Sequence, residues 1–144
     1  MISRTSIEVR YAETDQMGVV YHANYLIWFE VSRTNFLKEL GYPYKSFEEH
    51  GLLSPVLHVE IDYGTPLHYG DTIDVYTKVI ETGSVKTVYA YEVYRSDQIP
   101  FQDKPCCTGK TTHCLVRKED FKPVSMKRVA PELMRAYAEV IEPA

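Results

Sequence analysis

The segment from residue 11 to residue 25 contains the residues best suited to chemistry on an electrophilic carbon. It holds a carboxylate, Asp15, next to apolar residues, and a run typical of a helix begins at Ala23. Free backbone N–H groups and the helix dipole favour negative charge at a helix N-terminus. Acyl transfer needs a group that attacks or activates water, together with donors aimed at the developing oxyanion. The segment is therefore a candidate acyl-transfer site, with a turn-forming or capping role for Asp15 as the alternative.

Two other acidic residues close to this segment have simpler interpretations. Glu30 could act as an acid within the predicted helix, but Arg33 follows three residues later, which favours an ion pair between them. Glu13 lies near Asp15, and we expect its side chain to point to solvent or to stabilise the loop.

The cysteines do not predict a metal site. On one strand, Cys106 and Cys114 would share a face while Cys107 and His113 share the other, which divides any tetrahedral set. We therefore expect no metal and interpret these residues as small buried or half-buried strand residues. Three cysteines, an odd number, suit a reducing compartment better than a disulfide framework.

Length and charge exclude several classes of protein. The chain has 144 residues, which predicts a single domain over residues 1–144. It carries 20 acidic and 16 basic residues, and the net charge of -4 argues against nucleic acid as its main partner. No apolar run is long enough to span a membrane, and residues 1–4 do not resemble the start of a secretory signal. We therefore expect a cytoplasmic protein without a membrane span.

The spacing of apolar residues predicts the elements that position this segment. Ile7, Val9 and Tyr11 alternate with polar residues as in a strand, and an apolar helix over residues 23–40 follows, ending at Gly41. Because apolar residues nearly encircle this helix, we expect it to be buried in its own domain. The remaining predicted elements are a short helix over 44–50, strands over 57–63, 71–82, 85–95 and 106–117 with a hairpin at Gly83, and a helix from Pro131. The order predicts a five-stranded antiparallel sheet whose edges invite dimerisation.

A set of residues that begins with Tyr11, Thr14-Asp15 and Met17 to His22 forms a motif. This motif resembles that of the 4-hydroxybenzoyl-CoA thioesterase family of hot-dog proteins, especially the short-chain acyl-CoA thioesterases associated with the Tol-Pal system in some bacteria. The resemblance implies an α+β hot-dog fold, with the five-stranded antiparallel sheet wrapped around a long buried helix. It covers most of the chain, from about residue 8 to residue 117. The residues that carry it are Tyr11, Thr14-Asp15, Met17 to His22, Asn24-Tyr25, Trp28-Phe29-Glu30, Arg33, Tyr63 to Pro66 and Asp71.

The resemblance also implies roles for residues of the motif. Asp15 corresponds to the essential carboxylate, and the backbone N–H of His22 would polarise the thioester carbonyl. We expect the His22 side chain to contact substrate or loop, and not to act as the base. Gly18 would let the loop pass close to the substrate, Tyr21 would line its binding site, and Asn24 would brace the loop or cap the helix.

A second set of expected substrate-binding residues lies outside the motif. In members of the family the site forms at the dimer interface, so His58 and Val59 are expected to face the Asp15 of a partner subunit. Lys86, after Gly83, could bind the phosphates of coenzyme A or be an ordinary solvated hairpin lysine. The same resemblance implies a homodimer or homotetramer.

The function implied by the resemblance is hydrolysis of an acyl-CoA thioester. Asp15 would either attack the carbonyl or activate a water as general base, and the sequence does not choose between these roles. We expect no metal or cofactor, since coenzyme A is part of the substrate. Two alternatives are a hot-dog hydroxyacyl dehydratase and a non-catalytic module that binds acyl-CoA or an acyl carrier.

Overall fold

The computed structural model describes all 144 residues and places one long helix against a five-stranded antiparallel sheet. Tyr11–Glu13 forms a 3₁₀ turn after the first strand. None of the helices is long and apolar enough to cross a membrane. The helices are α1 (Asn24–Leu40), α2 (Tyr44–Glu49), α3 (Met126–Val129) and α4 (Pro131–Val140). The strands are β1 (Ser3–Glu8), β2 (Leu52–Leu53), β3 (Val56–Tyr63), β4 (Thr72–Thr82), β5 (Thr87–Arg95), β6 (Cys107–His113), β7 (Leu115–Arg117) and β8 (Pro123–Val124).

Helix α1 is the central element, and its end is set by glycine. Gly41 adopts φ 94°, a left-handed conformation that other residues rarely adopt, and its N–H donates to the carbonyls of Leu37 and Lys38. The predicted helix and its stop are confirmed. One face of α1 is buried through residues at helical spacing, namely Tyr25, Trp28, Phe29, Ser32, Phe36 and Leu37.

The opposite face of α1 is not buried within the chain. Leu26, Ile27 and Val31 expose 40%, 48% and 47% of their surfaces. The expectation that α1 is buried all round in its own domain is therefore wrong for this face. The reason is that the sheet lies on one side of the helix only, and no other element of the chain covers the other side.

The large sheet has the strand order β1-β4-β5-β6-β3, and all its pairings are antiparallel. Tyr89, Tyr91 and Val93 alternate along β5 and are all buried on one of its faces. Tyr91 stacks on Phe29 of α1, with ring centroids 4.3 Å apart and an angle of 9° between the planes. Gly109 of β6 lies under the same phenylalanine, so this contact fixes the height of α1 above the sheet.

The strand predicted over residues 106–117 is wrong as a single element. The chain leaves the large sheet at Cys114, and β7 continues in a second, three-stranded sheet of order β2-β7-β8. Cys114 and Leu115 are buried in succession, which a strand with one exposed face does not allow. The prediction that Cys106 and Cys114 share one face of a single strand is also wrong, because the strand of the large sheet ends before Cys114. All three cysteines are free and buried.

The edge of the large sheet that β3 forms is open. β3 pairs only with β6, and seven of its eight residues are exposed. Val59 and Tyr63 lie on the face toward α1, because their register partners are buried under the helix. Within one chain, β3 is therefore exposed to solvent on both of its faces.

Candidate active site

Asp15 lies in a tight hairpin between the 3₁₀ turn and α1. A bridge joins Thr14 to Val20, the Asp15 N–H donates to the Val19 carbonyl at 2.9 Å, and the Gly18 N–H donates to the Asp15 carbonyl at 2.9 Å. Gly18 has φ 79°, a turn conformation in which glycine is favoured, and nothing lies within 4 Å of where its Cβ would be. The hairpin holds Asp15 at its turn with open space beside Gly18.

The two carboxylate oxygens of Asp15 have different surroundings. Oδ1 accepts a hydrogen bond of 2.9 Å from the Met17 N–H, which fixes the side chain in an Asx turn. Oδ2 accepts no hydrogen bond from the chain, and the residue is half-buried. One oxygen therefore orients the group while the other is free to meet a substrate or a water.

Unpaired backbone donors lie at the start of α1. The N–H groups of His22 and Ala23 find no acceptor within the chain, as expected for the first turn of a helix. The His22 carbonyl accepts a hydrogen bond of 2.9 Å from the hydroxyl of Tyr63 on β3. The His22 ring is exposed and lies 4.4 Å from the Tyr21 ring, centroid to centroid. Donors suited to an oxyanion thus follow Asp15 in the same short segment.

Glu13 was expected either to point to solvent or to stabilise the loop, and the structure decides between these two positions. It is 4% exposed and does not point to solvent. Its Oε1 accepts from the Arg10 N–H at 2.8 Å, and its Oε2 accepts from the Trp28 indole N–H at 2.7 Å. Burial acts to raise the pKa of Glu13, but these hydrogen bonds and the Arg10 guanidinium hold the pKa below its ordinary value. The alternative expectation, that Glu13 stabilises the loop, agrees with these contacts.

The backbone of Glu13 joins the hairpin to α1. Its carbonyl accepts from the Tyr21 N–H at 2.9 Å and from the Asn24 side-chain amide at 2.8 Å. Asn24 therefore braces the loop, one of the two roles expected for it. In the sequence, only its position two residues before Asp15 pointed to a role for Glu13. Its contact with Trp28 was not predictable, because Trp28 is distant in the sequence.

Arg33 does not pair with Glu30. Its guanidinium donates to the buried hydroxyl of Tyr91 at 3.1 Å, while Glu30 is exposed. The predicted ion pair between them is wrong because Arg33 lies on the side of α1 that meets the sheet.

The structure separates the remaining predicted site residues from Asp15 within one chain. His58 and Val59 lie on opposite faces of β3, so only Val59 shares the face of α1. Lys86 precedes Thr87 at the far end of β5, about 26 Å along the strand from Arg95 at about 3.3 Å per residue. The Asp15 hairpin follows β1 at the Arg95 end, and Lys86 is exposed and pairs with Glu81 at 3.4 Å. Lys86 could reach an Asp15 only in another subunit.

An apolar cavity of the chain lies away from Asp15. A space of about 270 Å³ between α2 and α4 is lined mainly by apolar side chains, including Phe47, Leu52 and Leu133. It opens near the C-terminal end of α1, whereas the Asp15 hairpin lies at the N-terminal end. The hairpin instead leads into the start of α1, where the Tyr63 hydroxyl of β3 donates a hydrogen bond to the His22 carbonyl. The Asp15 hairpin and this apolar cavity are therefore separate features of the chain.

Comparison with known proteins decides the family. Residues 9–136 match the profile of the thioesterase-like superfamily. The chain belongs to this superfamily. A superfamily member from Bacillus subtilis, YneP, provisionally named an acyl-CoA thioesterase, is 45% identical over 136 residues, covering 94% of this chain and 95% of YneP. The acyl-CoA thioesterase YbgC of Haemophilus influenzae is 34% identical over 62% of this chain and 67% of YbgC.

Solved structures of similar proteins agree with the fold. The crystal structure of the DHNA-CoA thioesterase from Staphylococcus aureus superposes with a TM-score of 0.88 and 36% identity, covering 96% of this chain and 89% of that one. The structure of the Thermus thermophilus protein TT1821 gives a TM-score of 0.84 at 31% identity. The predicted hot-dog fold is thereby confirmed.

Proposed function

We propose that this chain is an acyl-CoA thioesterase in which Asp15 carries out the chemistry. The observation that supports this most directly is the Asp15 carboxylate itself, which is oriented through Oδ1 and unpaired at Oδ2. The unpaired N–H groups at the start of α1 supply the second part that acyl transfer needs. The names of the relatives supply the substrate class, a thioester of coenzyme A.

In the proposed reaction, the carbonyl oxygen of the thioester first accepts a hydrogen bond from the backbone N–H of His22. In one route, Asp15 Oδ2 takes a proton from water while the water oxygen bonds to the carbonyl carbon. In the other, Oδ2 itself bonds to that carbon, and water later hydrolyses the mixed anhydride. Both routes pass through an oxyanion held by the start of α1, and both break the C–S bond, so that the coenzyme A thiol and the free acid leave. Neither route uses a metal or a cofactor besides the substrate's own coenzyme A.

The site is proposed to be complete only in a homodimer. The open β3 edge can pair with the same edge of a second copy, and the exposed apolar face of α1 then gains a partner. Such a dimer brings Val59 and Lys86 of one subunit toward the Asp15 of the other. A homotetramer, and a place in the Tol-Pal-associated branch, are finer expectations from the sequence motif and are proposed on that ground alone.

Thiol release from a panel of acyl-CoAs, from acetyl-CoA to hexanoyl-CoA and benzoyl-CoA, tests the proposal. We expect turnover by the wild type and a fall of at least about 10²-fold in kcat for Asp15→Asn, which cannot act as base or nucleophile. Asp120→Asn is the matched control, because Asp120 is an exposed carboxylate between β7 and β8, outside the large sheet. An enoyl product without thiol would indicate a dehydratase, binding without turnover would indicate a binding module, and wild-type kcat in Asp15→Asn would contradict the assignment.

A further inference from the structure

One buried carboxylate, that of Glu13, lies where the Asp15 hairpin meets the start of α1. The side chain of Glu13 reaches Arg10 before the hairpin and Trp28 in α1, and its backbone carbonyl reaches Tyr21 and Asn24. Asp15 is two residues after Glu13, and the His22 amide directly follows Tyr21. The separation between the proposed nucleophile or base and the proposed oxyanion donor therefore depends on short segments anchored at Glu13.

We propose that Glu13 is a positioning residue of the thioesterase, and that its bond to Trp28 fixes the Asp15 hairpin against the first turns of α1. The inference rests on the proposed function. Glu13 acts through Asp15 and His22, and it takes no part in bond making.

The two oxygens of Glu13 explain why a carboxylate is needed at this position. Oε1 accepts from the Arg10 backbone N–H and Oε2 from the Trp28 indole N–H, and the Arg10 guanidinium also donates to Oε2 at 3.4 Å. Glutamine has the same length but only one side-chain oxygen, so in either orientation its NH₂ group would face a donor. Aspartate is one methylene shorter and cannot hold both contacts. Bonds to a charged acceptor are also stronger than neutral ones, which suits a residue that must hold a loop in place.

The contact differs from an ordinary fold-stabilising bond in what it holds. The hairpin contributes only Val20 to the buried core between Thr14 and His22, so packing fixes it weakly. Displacement of reacting groups by about 1 Å can lower turnover by about 10²-fold. Loss of the Glu13 contact is therefore expected to lower kcat more than it lowers substrate affinity.

The test compares Glu13→Gln and Trp28→Phe with Glu92→Gln in the full-length protein. Glu92 is a matched control because it also accepts a hydrogen bond, from the Tyr94 hydroxyl at 2.8 Å, but lies on the face of the sheet away from α1. Steady-state thiol release from the best acyl-CoA of the panel gives kcat and KM. Hydrogen exchange of residues 14–22 reports the hairpin, and the emission of Trp28, the only tryptophan, reports its indole contact.

We expect Glu13→Gln and Trp28→Phe to lower kcat by roughly 10- to 100-fold with KM changed less than about threefold, and the double variant to be no worse than either alone. Exchange over residues 14–22 should accelerate while the strands stay protected, and Glu92→Gln should change none of these. Wild-type kcat in folded Glu13→Gln overturns the inference, even if its thermal stability falls. If the wild type hydrolyses none of the panel, the proposed function fails separately, and unchanged exchange of residues 14–22 would then overturn the role of Glu13.

Discussion

Replacing Gly109 with alanine should unfold the protein more easily, because Phe29 occupies the space that a Cβ would need. The new Cβ would lie 2.4 Å and 2.7 Å from Cε2 and Cζ of Phe29 and 3.1 Å from the Glu60 carbonyl oxygen. Ordinary contacts begin near 3.4 Å, so the ring must shift by about 1 Å, yet it is fully buried and stacked on Tyr91. Overpacking of this size costs about 1–3 kcal/mol. Alanine in a strand recovers roughly 0.5–1 kcal/mol relative to glycine, which leaves a net loss of about 1.3 kcal/mol at the middle of the two ranges and of about 2.5 kcal/mol at most.

Denaturant unfolding followed by far-UV circular dichroism measures this loss. Gly83→Ala is the control, because no atom lies within 4 Å of its would-be Cβ and its φ is not in the left-handed region. Phe29→Leu should be less destabilising in the Gly109→Ala background than in the wild type, since the smaller side chain relieves the overlap. A change below about 0.5 kcal/mol in Gly109→Ala, or strict additivity with Phe29→Leu, would refute the conclusion that this contact sets the height of α1.

Two further predictions concern pH and assembly. Burial, together with the nearby Arg33, lowers the pKa of His113 to about 4, so between about pH 6.5 and pH 4 the unfolded chain binds a proton that the folded chain does not. The free energy of unfolding should therefore decrease by up to about 3 kcal/mol as pH falls through this window. Equilibrium unfolding at several pH values measures this, and His113→Gln should show a smaller dependence on pH. Equal slopes in both proteins would contradict the prediction. Val59→Asp should place a charge in the proposed β3 interface, giving a monomer in sedimentation analysis and at least about tenfold lower turnover, whereas Ile99→Asp, in the exposed loop after β5, should do neither. A dimeric Val59→Asp protein would exclude pairing through this edge.

Elements with strong local signals were predictable from the sequence. The end of α1 follows from Gly41, the β4–β5 hairpin from Gly83, and the start of α4 from Pro131. These signals act within a few residues and do not depend on distant contacts. The first strand, by comparison, was predicted to include Tyr11, which instead lies in the 3₁₀ turn and is 76% exposed. The alternation of apolar and polar residues continues from Ile7 through Val9 to Tyr11, although the chain has already turned away from β4 before Tyr11.

The internal geometry of the candidate site was not predictable. Asp15 stood out through the family motif, but most bonds of its hairpin join backbone groups, and only the Asx turn of Asp15 and the left-handed Gly18 depend on residue type. For Glu13 the sequence left solvent exposure and loop stabilisation both open, because its burial depends on an indole donor fifteen residues later. The apolar residues around α1 were assigned to one core, although Leu26 and Val31 lie on a surface that a single chain does not cover.

The open β3 edge also affects how the protein reaches its folded state. Until the edge is occupied, backbone groups along one side of the strand offer a template for any extended chain nearby. Glu60 and Asp62 are charged residues of this strand, which disfavours random strand addition but does not block the edge. Folding yield should therefore depend on protein concentration in two opposite ways, because dilution delays correct pairing and crowding promotes aggregation. Solubility during expression and stability after assembly are consequently separate properties of this chain.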